Sequence, residues 1–197
     1  MRVLTVVIVV LWAAASGALA DDLEPEITSH KGQFGVSARL GVGVRAIATY
    51  DRTVFCGSDV DDRVCTGRAP LSLDLEAAYG VKDSIELTLE LRIGLESDFG
   101  SAPGTSGPRP FHIAPGARFF FSEAKRTKLF VQPSLVFDFA SYGQRDGNDF
   151  GVRGIEGFWI DLHRSYGLYV YVAETIEFSR WLSGGFEAGV GFQGRYP

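Results

Sequence analysis

Methionine occurs once, cysteine twice and lysine four times (Lys31, Lys82, Lys125, Lys128) in a chain of 197 residues. Each scarcity excludes something. Two thiols are too few for a disulfide-dense secreted scaffold or a four-thiolate zinc centre. With 19 Lys+Arg against 24 Asp+Glu and no basic run, nucleic acid is not a fitting partner. Beyond the amino-terminal segment no apolar stretch is long enough for a second helical membrane span. Disorder is excluded as well, because 46% of the residues are hydrophobic and the formal net charge is only -5.

What is present begins with an address. Met1-Arg2 is a short positive start, Leu4 to Ala14 is almost unbroken apolar sequence, and Ala18 and Ala20 stand in an A-x-A arrangement before Asp21. This pattern reads as a secretory signal peptide over residues 1–20. A retained anchor is the alternative, but the run is short for a spanning helix and Asp21-Asp22 suit cleavage. Residues 21–33 are then expected to form a periplasmic tail and 34–197 the folded domain.

The domain is built from period-two alternation. From Phe34 to Tyr50 the even positions are apolar or aromatic, and the odd ones include Gly35, Ser37, Arg39, Gly41, Gly43 and Arg45. Leu71 to Tyr79 and Ile85 to Leu95 repeat the pattern against Asp74, Glu76, Glu86, Glu90, Arg92 and Glu96. Further strands are expected at Phe111–Phe121, Leu129–Phe139, 151–162, 167–178 and 182–196, which makes eight. Glu156 and Glu174 share parity with apolar residues and are expected beyond the apolar band. Residues 51–69, 97–110 and 140–150 are long connections, whereas those near 80–84, 122–127 and 163–166 are short. Long loops on one end and short turns on the other characterise an up-and-down transmembrane barrel.

Alternation alone leaves open which face meets solvent. A soluble lipocalin-like barrel points its apolar rows inward, and a membrane barrel points them outward. Lysine placement favours the second, since all four lie in the tail or near the first two short turns. The polar rows carry Arg39, Arg45, Arg92, Arg118, Arg153 and Arg195 against Asp74, Glu76, Glu86, Glu90, Glu96, Asp138, Asp161 and Glu187. Guanidinium forks matched to carboxylates suit a confined interior better than a solvated surface. Pro115 and Pro133 interrupt two strands; with a hairpin centred near Ala124 they would face each other and cause a bulge or lost hydrogen bonds.

On these residues the chain resembles the small eight-stranded outer-membrane barrels, the class of the OmpA membrane domain and OmpX. The ending from Gly185 to Tyr196 is similar to the carboxy-terminal insertion strand of such barrels, with Pro197 added after the aromatic residue. The resemblance implies an all-β, antiparallel up-and-down transmembrane barrel in the bacterial outer membrane. It also implies contact with outer-membrane lipid and lipopolysaccharide, and with the barrel-assembly machinery during insertion.

Little of the sequence speaks of catalysis. Cys56 and Cys65 lie in the first long loop of an exported chain and are expected to form a structural disulfide. On a chain-entropy account such a loop of ~10 residues contributes about 2–3 kcal/mol. Asp59, Asp61 and Asp62, and Asp146, Asn148 and Asp149, offer calcium-type oxygens without EF-hand spacing, so no metal or cofactor is assigned. Arg52, Arg63, Arg68, Arg109 and Arg145 are candidates for lipopolysaccharide phosphates. His163 and Ser165, with Glu174 or Glu177, raise the alternative of a lipid A deacylase-like enzyme, but they fall at a short turn on the periplasmic end. A soluble periplasmic lipid-binding barrel is the other alternative.

Eight strands leave an interior just wide enough for side chains to fill. The expected interior is a charge network of Arg39, Arg45, Asp74, Glu76, Glu86, Glu90, Arg92, Arg118, Asp138, Asp161, Glu187 and Arg195. Paired in this way it forms a plug rather than a wide pore. The expected task is non-enzymatic: a structural, adhesive or assembly-scaffold role, with an envelope protein partner met through 51–69, 97–110 and 140–150.

Overall fold

A computed structural model describes residues 29–50, 63–98, 107, 109–121, 126–139, 148–179 and 181–197. The signal-peptide segment 1–20 and most of the tail fall outside these residues. Strands form where the alternation runs: β1 (Phe34–Thr49), β2 (Val64–Arg68), β3 (Ser72–Lys82), β4 (Ile85–Gly94), β5 (Phe111–Phe121), β6 (Thr127–Asp138), β7 (Asp149–His163), β8 (Tyr166–Glu177) and β9 (Trp181–Tyr196). Neighbours pair antiparallel in the order β1-β3-β4-β5-β6-β7-β8-β9. β9 returns to β1 along its whole length, from Phe34↔Tyr196 to Thr49↔Trp181, and closes an eight-stranded barrel.

β2 is the element that sequence reading placed inside a loop. It pairs with the far half of β1, from Val44↔Arg68 to Ala48↔Val64, beyond the point where β3 ends at Leu40↔Leu73. Four steps along β1 thus correspond to five along its partner, and the extra residue falls in Ala69-Pro70-Leu71. Proline has no N–H to give a ladder, so the strand breaks there and restarts as β3.

The expected face-to-face prolines are also corrected. The β5–β6 hairpin holds one register from His112↔Asp138 to Phe121↔Leu129, and therefore centres on residue 125. Pro115 and Pro133 are offset rather than opposed. Ladder pairs are lost on either side of Gly116↔Ser134 without any register shift. The outcome is missing hydrogen bonds, not a bulge.

The faces are those of a membrane barrel. Outward rows are apolar and open, with Val42 59% and Val44 61% exposed, while Glu90 and Arg118 point inward at 0%. A soluble lipid carrier has the reverse arrangement. The exposed rows form a belt around the wall, with Phe111, Phe139 and Phe178 toward the long-loop end and Phe34, Tyr79, Phe121 and Tyr196 toward the short-turn end. Glu156 and Glu174 do not lie beyond this belt. Glu156 is the middle outward residue of β7, opposite Val131 and Val172, and Glu174 is exposed opposite Gly154 and Phe186.

Candidate functional site

The strand pleat places every second residue of eight strands in one narrow bore, and the bore fills in three tiers. At the short-turn end an apolar cluster occupies one side: Phe120, Phe130, Ile155, Trp159, Tyr169, Tyr171 and Ala173. Trp159 lies edge-on to Phe120 and Phe130, at 5.5 and 6.4 Å between ring centroids. Arg195 stacks over Trp159 at 4.5 Å from its ring. Gly191 makes room for this cluster, because a Cβ there would collide with the Tyr169 ring.

The middle tier centres on two arginines. Arg118 Nη1 donates to Glu86 Oε2 and to Gln193 Oε1, each at 3.0 Å, its Nε donates to Gln132 Oε1 at 2.9 Å, and its Nη2 reaches Glu76. Arg39 pairs with Glu90 and lies 3.3 Å from Glu76. Gln132 in turn donates to Glu76 Oε2 at 2.6 Å. Toward the long loops Arg92 forks between Asp74, at 2.6 and 2.7 Å, and Glu187, at 2.6 and 2.7 Å. Arg153 reaches the same Glu187 at 2.7 Å and Thr175 at 3.1 Å. His112 Nε2 lies 3.1 Å from Glu90 Oε1. The top of the bore is crossed by Arg45, which pairs with Asp98 and lies 3.1 Å from Glu177. Charges at this depth hold only when paired and hydrogen-bonded, and these pairs tie together strands distant in sequence.

The twelve residues named from sequence all point into this bore. Arg39, Asp74, Glu76, Glu86, Glu90, Arg92, Arg118, Asp138, Glu187 and Arg195 are buried, while Arg45 and Asp161 are half-buried at its two ends. Glu96 belongs elsewhere: past the end of β4, it pairs with Arg68 outside the bore and accepts from the Leu71 amide at 2.9 Å. Sequence reading missed His30 and Lys128, which are 1% and 2% exposed. Lys128 is the second residue of β6 and shares the parity of Phe130 and Gln132, which was the available signal. His30 precedes the first strand, where no alternation exists to place it.

The catalytic alternative finds no assembled site. His163 is exposed and stacks on Tyr166 at 5.2 Å, and its Nδ1 accepts from the Ser165 backbone amide, not its hydroxyl, at 3.2 Å. Glu174 faces outward in mid-strand, and Glu177 pairs with Arg45 at the opposite end of the barrel. Of the calcium candidates, Asp59, Asp61, Asp62 and Asp146 lie outside the described residues, and Asp149 Oδ1 accepts the Ser179 amide at 2.9 Å. Among the described residues no group of three or more His, Cys, Asp or Glu side chains is arranged to hold a metal ion. Cys65 is buried in β2, and Cys56, Arg52 and Arg145 lie outside the described residues.

No protein-family model matches the chain, and no curated protein matches it. Solved structures do. The amino-terminal β-barrel domain of Pseudomonas aeruginosa OprF aligns with a TM-score of 0.55 at 11% identity, over 84% of this chain and 98% of that one. Neisserial surface protein A (NspA) aligns with a TM-score of 0.56 at 14% identity, over 84% of this chain and 100% of that one. At such identities the likeness speaks for the fold. Joined to the apolar belt and the charged bore, it establishes that the chain has the fold of the small eight-stranded outer-membrane β-barrels, the class of the OmpA membrane domain and OmpX that its sequence resembles.

Proposed function

We propose that the protein is a structural and contact-making barrel of the outer membrane, whose task is exerted by the long loops on a closed scaffold. The observation that carries this reading is the filled bore. Arg118 and Arg39 fill its middle and Arg92 lies beyond them toward the long loops, each tied to carboxylates from other strands. A solute crossing the barrel would have to break several buried ion pairs, each strongly unfavourable to separate. Loops 51–69, 97–110 and 140–150 are then left as the recognition surface, for lipopolysaccharide or an envelope protein partner. A Cys56–Cys65 bridge belongs to the same proposal, as a brace for the first loop. The assembly machinery is the expected partner only during insertion.

The experiment pairs two measurements on one protein. Proteoliposomes should swell no faster in a pentose than empty vesicles do. In cells lacking the protein, detergent sensitivity of the envelope should be restored by the full chain, and not by a barrel whose three long loops are cut to short turns. Rapid swelling, or full restoration by the loop-less barrel, would sink the proposal.

A further inference from the structure

Residues 29–33, directly before β1, do not hang free of the barrel. Gly32 adopts a φ of 76°, the left-handed region open to glycine. That turn directs the Gly32 amide to the Gly80 carbonyl at 2.7 Å, while the Gly80 amide donates to Gln33 O at 3.0 Å. Gly80 must itself be glycine, because a Cβ there would collide with the carbonyl of His30. Ser29 Oγ donates to Asp83 at the β3–β4 turn. The segment is stapled to the rim, and the staple swings one side chain, His30, into the mouth.

There the imidazole fits in one protonation state. Nδ1 lies 2.9 Å from Glu86 Oε1, and Nε2 lies 3.1 Å from Lys128 Nζ. A neutral ring protonated on Nδ1 sets that nitrogen beside the carboxylate as a close polar contact, without hydrogen-bond alignment, and accepts from the ammonium through Nε2. Its flank is edge-on to Phe120 at 4.5 Å. The charged groups around it come from four strands: Glu86 on β4, Lys128 on β6, Asp161 on β7, with Oδ1 at 4.0 Å, and Arg195 on β9. A second proton on Nε2 would point at the Lys128 ammonium, which Asp161 already holds at 2.8 Å.

We propose that residues 29–33 are a latch across the short-turn mouth of the barrel, bolted by the neutral His30 ring and released by its protonation. Burial, the largest cause, together with the Arg195 and Lys128 charges, lowers the His30 pKa below its ordinary 6.5, against the opposing pull of Glu86. The latched form therefore binds the proton more weakly than the released form. Latching is complete above about pH 6.5, the free-imidazole value, and weakens as pH falls through it until the latched-state pKa is passed. One proton changes the equilibrium at most about tenfold per pH unit in that window.

The test is amide hydrogen exchange by NMR on the folded barrel in nanodiscs, expressed as protection relative to intrinsic exchange so that the chemistry of pH cancels. Protection of the Gly32 amide should fall several-fold between pH 7.5 and 5, while that of Val131 and Val172 in the wall stays constant. His30→Phe keeps a ring against Phe120 and cannot be protonated, so its Gly32 protection should not change with pH. Lys128→Met keeps the imidazole and removes the facing ammonium, so its pH-dependent loss should be smaller than in the unaltered protein. A flat Gly32 profile, a fall shared equally by the wall, or a Lys128→Met loss equal to the original overturns the latch.

Discussion

Trp159 and Tyr169 stand directly opposite each other in the β7–β8 ladder and stack inside the bore, ring centroids 4.9 Å apart and planes 9° from parallel. Trp159 is fully buried, donates to Asp161 Oδ1 at 2.8 Å and carries Arg195 on its other face. Truncation to Ala should cost about 3–5 kcal/mol, the usual penalty for a large buried aromatic. Urea unfolding in detergent, followed by the mobility difference between unboiled and boiled samples, measures it. A loss below about 1 kcal/mol would mean that the aromatic cluster does not hold the barrel.

Arg39 and Glu90 form a buried pair between β1 and β4. Removing either partner deprives the other buried charge of its nearest counterpart, so Arg39→Met and Glu90→Met should each cost about 3–5 kcal/mol. The double variant should cost clearly less than the sum, because the interaction between the two side chains is lost in each single variant and counted twice in the sum. Strict additivity in the same unfolding assay would show that the two side chains act independently.

Glu156 exposes a carboxylate at the centre of the lipid-facing row of β7. Charged residues on the lipid face are unfavourable near the bilayer midplane, less so for carboxylates than for Lys or Arg. Glu156→Val should therefore stabilise the barrel in lipid by on the order of 1 kcal/mol. Folding titrations in vesicles decide the matter, and a destabilised variant would mean that something in the membrane engages Glu156.

For the first long loop, intact-mass measurement after alkylation without reductant should find no labelled thiol, and two after reduction. Cys65→Ser should leave the boiled-against-unboiled mobility shift of the barrel unchanged, since Cys65 sits in β2, outside the closed ring of eight strands. Labelling of both thiols in the unreduced protein would remove the bridge.

Eight strands and both faces were legible in sequence because period-two alternation is a local signal, repeated in each strand. The interior arginines and carboxylates followed from the same parity. Which of them meet did not. Arg92 finds Glu187 ninety-five positions away through barrel closure, a relation that no local pattern encodes. β2 escaped because Val64-Cys65-Thr66 is too short a run to announce a strand beside Gly67 and Pro70. Glu156 was misplaced because its parity was right and its chemistry wrong, and expecting charge to avoid lipid moved it outside the belt. His30 is held by a glycine turn and tertiary contacts, and neither has a periodicity to read.

The seam between β1 and β9 has a consequence for how the chain matures. Phe34 pairs with Tyr196, so the first and last strands of the barrel must find each other before any ring exists, a contact of nearly maximal sequence separation. Gln193 and Glu187, the partners of Arg118 and Arg92, arrive only with that last strand. Without it Arg92 keeps Asp74, and Arg118 keeps Glu76, Glu86 and Gln132, but each lacks one partner. The carboxy-terminal strand thus supplies the last partners of both arginines and the closing seam of the ring together.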